Sequence, residues 1–457
     1  MAPARRPPSP KARWLGGHIV PMRRDQLGFL TRAARDHGDV VGLRFGPRRA
    51  LLLSHPDLVE QVLVTGRRSF AKSRAVLLIG RVTGEGLVVS EGDFWRRQRR
   101  LIQPAFHHSR IAAYADTMVA FTQRRLDLWR DGETRDVHEE LMGLTLEIVV
   151  KTLFDADVSR EAEAEVGSAV AVAVECLNDV LTSFLFFVPP WVPVPVNLRL
   201  KRAVKRLDAV LYRIIEEHRA AGIDRGDLLS TLLRARDEDD GSHMTDRQVR
   251  DEAMTLFLAG HETTSIALTW AWYLLSQNPE AEARLHAELD AVLGGRTPTI
   301  EDVPNLPFAG MVVTEALRLY PPAPALGREA VEDGEIAGYP IRKGTNVIVS
   351  QWVVHRDHRW YGDAEAFRPQ RWEGDLARRI PRFAYFPFGG GQRHCIGNSF
   401  ATMEATLLLA TIAQRFRLRL APGHPVEPQA RFTLRPRYGM RMVLEERTPA
   451  VVRAARA

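Results

Sequence analysis

Hydrophobic positions recur every three to four residues over residues 136 to 155 and 160 to 187, the spacing that lines one helix face, so both stretches predict core helices. A longer helix follows. Thr245 and Gln248 carry the signature of a capping box, Pro279 marks the far end, and the interval to Gln277 predicts a helix of about 50 Å at about 1.5 Å per residue. Further apolar helical stretches end near Tyr320, ahead of Pro321 and Pro322, and run from about Cys395 to Phe416. Strand signals are short. Residues 39 to 55 read as two strands about a Gly46-Pro47 turn, and Pro56 then starts a helix through Val64. Residues 333 to 357 read as hairpin strands, and 416 to 446 supply more. Residues 70 to 92 hold no sustained period and predict a long loop. Prolines at 189, 190, 193 and 195 end the helix before them and leave aromatic residues on a stiff connector, 181 to 197. The sum is a mainly α chain with small β-sheets.

No linker, repeat or composition shift divides the 457 residues, and 45% apolar content supports a large core, so residues 15 to 457 are expected to form one domain. Residues 1 to 14, basic and proline-rich with no apolar stretch after them, are expected to be a loose arm rather than a secretory signal. No apolar run approaches the roughly 18 to 20 residues of a membrane span. Two cysteines far apart suggest no disulfide framework, which fits a reducing cytoplasm. The net charge of +7 and pI near 9.6 arise from arginines spread among acids, so a nucleic-acid partner is not expected.

The candidate chemistry lies in residues 386 to 397, FPFGGGQRHCIG. Cys395 follows three glycines and two basic residues and opens an apolar helix, an arrangement expected to lower a thiol pKa through the helix dipole and nearby cations. Gly391 and Gly397 are expected to aim backbone N–H groups at the sulfur, with Phe388 shielding it. A phosphate loop would need Lys and Ser/Thr after the last glycine. Structural zinc needs about four Cys/His ligands, and the other cysteine, Cys176, reads as a small buried hydrophobe. One thiolate in an ordered loop points instead to haem.

The segment resembles the cysteine-ligand signature of the cytochrome P450 family, Phe-x-x-Gly-x-Arg-x-Cys-x-Gly, at Phe388, Gly391, Arg393, Cys395 and Gly397. Other family signatures recur from about residue 15 onward. Trp95 and Arg99 share a helix face at i, i+4, and the resemblance implies that they bind a haem propionate; Arg96, Arg97 and Arg100 are expected to face solvent as a docking face for an acidic electron carrier. Arg328 is implied for the other propionate. AGHETTS, residues 259 to 265, places Gly260 and vicinal threonines inside the long helix against propensity. The resemblance implies that Ala259 lies over the haem, that a loosened turn admits dioxygen, that Thr263 hydrogen-bonds it, and that Glu262 feeds protons. A zinc-protease reading of His261-Glu262 fails because Ser265 replaces the second His.

Glu315 and Arg318 meet at i, i+3, a spacing common enough to arise by chance. The resemblance implies that they join Arg371 of FRPQRW in a buried network holding the cysteine loop, with Gln370 a harmless departure. Leu434 is expected to point toward substrate. The aromatic connector is implied to be a lid, although ordinary interhelix packing explains its side chains equally well. Together these imply a monomeric, cytoplasmic monooxygenase with haem b (iron protoporphyrin IX). It would use O2 and electrons from a separate ferredoxin and ferredoxin reductase to oxidise an apolar molecule such as a terpenoid, steroid or fatty acid. Peroxide-driven oxidation, rearrangement, and a non-catalytic gas sensor or carrier stay open beside it.

Overall fold

The computed structural model describes residues 6–12, 16–155, 160–237 and 241–447. Its longest helix, Asp246–Gln277, starts on the expected capping box: Gln248 N–H donates to Thr245 Oγ1 at 3.3 Å and Thr245 N–H donates to Gln248 Oε1 at 2.9 Å. It is buried on almost every side, which is why its sequence lacks a polar face. Helix Val137–Phe154 packs along it, capped by Asp136, whose carboxylate accepts from His138 and Glu139 N–H. Helices Pro307–Leu319 and Asn398–Arg415 complete one apolar core around Trp270, Trp272, Leu317 and Leu408. Helices Arg160–Thr182 and Pro195–Ala221 cover the other half of the long helix with a second core, in which Cys176 is fully buried as expected.

Five strands form the main sheet in the order Val40–Phe45, Arg48–Leu53, Asn346–Val349, Leu326–Ala330, Phe70–Lys72. Only the contact between Arg48–Leu53 and Asn346–Val349 is parallel. The first hairpin turns at Gly46, whose φ of +59° suits glycine. A second sheet joins Thr134–Asp136, Arg441–Glu446 and Phe416–Leu420, and the short hairpin Pro428–Ala430 with Leu434–Pro436 reaches back to the long helix, where Trp270 Nε1 donates to Leu434 O at 2.8 Å.

Three expectations are corrected. Within the supposed loose arm, Pro8 O accepts from Gly42 N–H at 2.7 Å and Pro10 O meets His18 Nε2 at 3.1 Å, so the segment lies on the edge strand Val40–Phe45. Its prolines are already extended, and docking them costs little chain entropy. Residues 1–5 and 13–14 lie outside the described residues. The predicted loop 70 to 92 contains a strand, Phe70–Lys72, and two single helical turns, Arg74–Leu77 and Gly80–Thr83, too short to print a period. Residues 351 to 354, expected as strand, form a helical turn capped by Ser350 Oγ, which accepts from Val353 N–H at 3.3 Å.

Candidate active site

The cysteine loop is shaped by backbone approaches that exclude side chains. Gly389 and Gly391 have φ of +71° and +68°, and a Cβ on Gly391 would lie 2.2 Å from Leu63 O. Cys395 N–H donates to Phe388 O at 3.0 Å, and Gly397 N–H is directed at the Cys395 sulfur. Cys395 is exposed although protein surrounds it, so it borders an interior space. Burial pushes the thiol above its ordinary pKa; Gly397 N–H and Arg99 oppose this without overcoming it. That reverses the expected lowering. The physical reason is direction: Arg393 turns away to bind Glu91, its guanidinium 5.9 Å from the Trp95 ring centre. A bound metal would itself deprotonate the thiol. Arg99 braces the loop from helix Gly92–Ile102, donating through Nη1 to His394 O at 3.0 Å.

Beside the loop, buried cations outnumber anions. Lys72 and Arg328 are directly opposed on neighbouring strands, a destabilising pairing of like charges. Burial pulls Lys72 down to about 7 and Arg328 to about 10, and Arg393 repels both. Glu91 is the acid among them, bound by Arg393 and by Lys72 N–H at 2.6 Å. Arg393 Nε is buried without a hydrogen-bond partner. An orphaned donor amid surplus positive charge fits a dianionic group lodged here, as two haem propionates require. Lys72 and Glu91 had no local signal in the sequence, because Lys72 meets Arg328 only through strand pairing. Of the arginines expected to face solvent, Arg96 and Arg100 are exposed, Arg96 pairing with Asp93 and Arg100 reaching Asp237 at 3.2 Å, whereas Arg97 is half-buried on the same Asp237 at 2.8 Å.

Above this level the long helix is continuous. In the middle of the helix Ala259 is exposed and Leu258, Gly260 and Thr263 are half-buried, so this stretch opens on interior space. Thr263 Oγ1 donates to Ala259 O at 2.7 Å, Ser265 Oγ to Glu262 O at 2.8 Å, and Thr145 Oγ1 to His261 O at 2.9 Å. Added hydroxyl donors of this kind weaken a helical turn. Gly260 has a different task from the one expected: a Cβ there would press on Val149 Cγ2 at 3.1 Å, so its absence lets the two helices approach. Glu262 is buried and held by Thr433 Oγ1 and by Arg435 Nε at 2.7 Å. Burial alone would raise its carboxyl, but Arg435, with Thr433 and His261 adding, holds it below its ordinary range. Leu434 is fully buried rather than lining an open space, its backbone being pinned by Trp270 and Pro322.

Glu315, Arg318 and Arg371 come together as expected. Arg318 donates to both Glu315 oxygens at 2.8 and 2.9 Å, and Arg371 Nε adds a bond at 2.8 Å. Trp372 Nε1 and Arg368 N–H also donate to Glu315, at 2.8 and 3.1 Å, partners that sequence spacing did not reveal. Arg318 also binds His355 O, and His355 Nε2 accepts from Phe386 N–H at 2.9 Å, which ties the network to the start of the cysteine loop. Gln370 is exposed and takes no part.

Another group escaped the sequence reading. Glu404, on the helix that follows the cysteine loop, is fully buried with no cation beside it; burial raises it to about 8, only partly offset by the Thr264 hydroxyl. A carboxyl whose folded pKa exceeds its unfolded value stabilises fully below the unfolded pKa, and that contribution is lost as pH rises through the folded one. Glu404→Gln should therefore match the parent in denaturant midpoint near pH 4, and outlast it by a few kcal/mol at pH 9. Parallel stability profiles for the two proteins from pH 4 to 9 would contradict a neutral buried acid.

A cysteine sulfur facing interior space beside a cationic recess defines a haem-thiolate protein, since that recess suits the carboxylates a porphyrin carries. The sequence model described as Cytochrome P450 matches residues 7–442, and the chain belongs to that family. It is 41% identical to cyclooctatin synthase of Streptomyces melanosporofaciens, over 92% of this chain and 91% of that one. Cyclooctat-9-en-7-ol 5-monooxygenase of the same organism is 38% identical, over 89% and 88%. Pentalenene oxygenase of Streptomyces avermitilis is 38% identical, over 95% and 96%. The chain is thus a P450 monooxygenase, a haem enzyme that takes electrons from a redox partner and acts on apolar molecules. No helix among the described residues is long and apolar enough to cross a membrane.

Proposed function

We propose that this enzyme inserts one oxygen atom of O2 into a C–H bond of a terpenoid, using haem b and electrons from a ferredoxin and its reductase in the cytoplasm, and that it acts as a monomer with residues 15–457 as one catalytic domain. The surplus of buried positive charge beside Cys395 carries the haem assignment. The relatives' names, cyclooctatin synthase and pentalenene oxygenase, support the substrate class. Cys395 would hold the haem iron, Lys72, Arg328 and Arg393 with Trp95 and Arg99 would receive its carboxylates, and Ala259 and Phe388 would pack beside it. When bound, thiolate-ligated haem supplies oxygen activation, because the sulfur's electron density favours O–O cleavage.

The chain's own residues manage protons and water. Thr263 Oγ1 lies on the open side of the long helix and can turn from Ala259 O to hold a proton at the reacting centre. Glu262, ionised and clamped, can pass on a proton only after it leaves Arg435 and takes one up from water. A groove of about 330 Å³ beside the cysteine loop, bordered by Arg382, Phe388, His394 and Thr402, is where a redox partner would dock.

Turnover of cyclic terpene hydrocarbons with NAD(P)H, a surrogate ferredoxin system and ¹⁸O2 tests the reading: one labelled oxygen per product molecule is expected, and label-free or absent product counts against it. Thr263→Ala should lower product formed per NAD(P)H roughly 10-fold or more while NAD(P)H consumption continues. Unchanged coupling would remove the role given to the hydroxyl.

A further inference from the structure

We propose that the pocket between helix Gly92–Ile102 and the first turns of helix Asp246–Gln277 binds a small organic cation, an alkylammonium, at a site separate from the cysteine loop. The pocket holds about 260 Å³, near the lower end of small-ligand pockets at roughly 300 Å³. Its rim is open to solvent, since Glu85, Thr245 and Arg247 are exposed. Its floor is not. Gln98 is fully buried and Glu252 is 1% exposed, and both border the pocket. Neither polar side-chain atom of Gln98 has a hydrogen-bond partner among the described residues, and Glu252 Oε1 has none either. Polar groups are costly to bury unpaired, so three orphaned atoms at one floor mark a place made to receive a polar occupant.

The charge of the lining selects the occupant. Glu85, Asp251 and Glu252 border the pocket against one cation, Arg247. Asp251 is engaged by Arg250 Nη1 at 2.9 Å and by Glu85 N–H at 2.9 Å, whereas the Glu85 carboxylate meets no cation among the described residues. No three His, Cys, Asp or Glu side chains among the described residues are grouped as a metal ion requires, which leaves an organic cation. An ammonium has three donors and no acceptor, enough for Gln98 Oε1, Glu252 Oε1 and the Glu85 carboxylate, with Gln98 Nε2 left to a water in the same space. Phe94 gives its carbons an apolar wall. Burial pushes the Glu252 carboxyl up to about 8; Asp251 adds to this, while Leu87 N–H and Lys72 oppose it. Glu252 therefore carries a proton at neutral pH, and an ammonium seated against Oε1 would draw it toward the anion. Leu87 lies between that carboxyl and the cationic recess: its N–H donates to Glu252 Oε2 at 2.8 Å and its carbonyl accepts from Lys72 Nζ at 2.8 Å. Lys72, faced by Glu91, Arg393, Arg328 and Glu252, is held more firmly charged once Glu252 ionises.

Calorimetric titration of the haem-loaded full-length protein with 1,4-diaminobutane at pH 7 tests this, with potassium chloride and 1-butanol as the inorganic and uncharged comparisons. One site per chain is expected, releasing up to about one proton per cation bound, read from the difference in heat between two buffers of unlike ionisation enthalpy. Glu252→Gln should abolish the proton release and weaken binding about 10- to 100-fold, as loss of a hydrogen bond to a charged group does. Gln98→Leu should weaken it about tenfold, and Glu85→Gln, on the exposed rim, only about threefold. Glu252→Gln exchanges a neutral acid for an amide of the same shape, and the carbonyl spectrum of each variant reports its fold. Absence of saturable heat from the diamine overturns the proposal, and the pocket then holds water alone. Equal binding of potassium, binding unaltered by Glu252→Gln, or heat that tracks a Soret shift from an amine on the iron overturns it as well.

Discussion

Glu315→Ala should unfold the proximal half of the molecule or leave it unable to retain haem. The carboxylate is fully buried and accepts from Arg318, Arg371, Trp372 Nε1 and the Arg368 amide, so its removal strands one wholly and one largely buried guanidinium. Breaking one buried pair costs about 3 to 5 kcal/mol, mainly through the charge left behind. With two arginines left without their counter-charge and held only by backbone carbonyls, a loss of roughly 5 kcal/mol or more is expected, a large share of the roughly 5 to 15 kcal/mol that typically stabilises a domain. Urea denaturation of Glu315→Ala beside Gln370→Ala, the exposed neighbour of the network, measures it. A shift in midpoint below about 1 kcal/mol for Glu315→Ala would mean that the arginines find other acceptors. Glu315→Gln keeps the shape and part of the hydrogen bonding, and should fall between the two.

The network was half legible. Glu315, Arg318 and Arg371 could be named because helix spacing and a family pattern place them, but Trp372 and His355 join through folding of distant segments, which no local spacing encodes. The same division explains the cationic recess beside the cysteine loop. Trp95 and Arg99 share a helix face, readable at i, i+4, whereas Lys72 becomes a site residue only when Phe70–Lys72 pairs with Leu326–Ala330. Glu404 gave no sign at all, because a carboxylate inside an apolar helix is indistinguishable in sequence from one on its wet side.

Electrostatic signs were harder still. Sequence places Arg393 and His394 next to Cys395 and suggests a thiol eased toward its anion. Side-chain direction decides otherwise: Arg393 serves Glu91, and burial dominates at the sulfur. Likewise Glu262 sits where a proton donor is expected, yet Arg435, on the C-terminal hairpin, keeps it ionised. Gly260 was correctly singled out as costly in a helix, but the compensation is closeness to Val149 rather than an opened turn. Residue choice against propensity marked the right place without revealing which contact required it.

Cys395→Ser is expected to separate holding the cofactor from making it reactive. The recess of Lys72, Arg328 and Arg393 is untouched by the change, and Gly397 N–H and the Phe388 carbonyl still order the loop, so the variant should fold and retain part of its haem. A serine hydroxyl is far less acidic than a thiol and donates less electron density, so oxygen cleavage loses its driving group. Activity should fall more than about 100-fold, beyond the 10- to 100-fold that loss of a mere supporting group produces. The strongly red-shifted Soret band of the reduced carbonyl complex should vanish even where pigment remains. If Cys395→Ser kept that band, some other group would have to be the ligand; among the described residues Cys176 is the only other thiol, and it is sealed inside the second core. Cys176→Ala therefore completes the pair: it should leave the band unchanged and cost only the small packing energy of a buried sulfur.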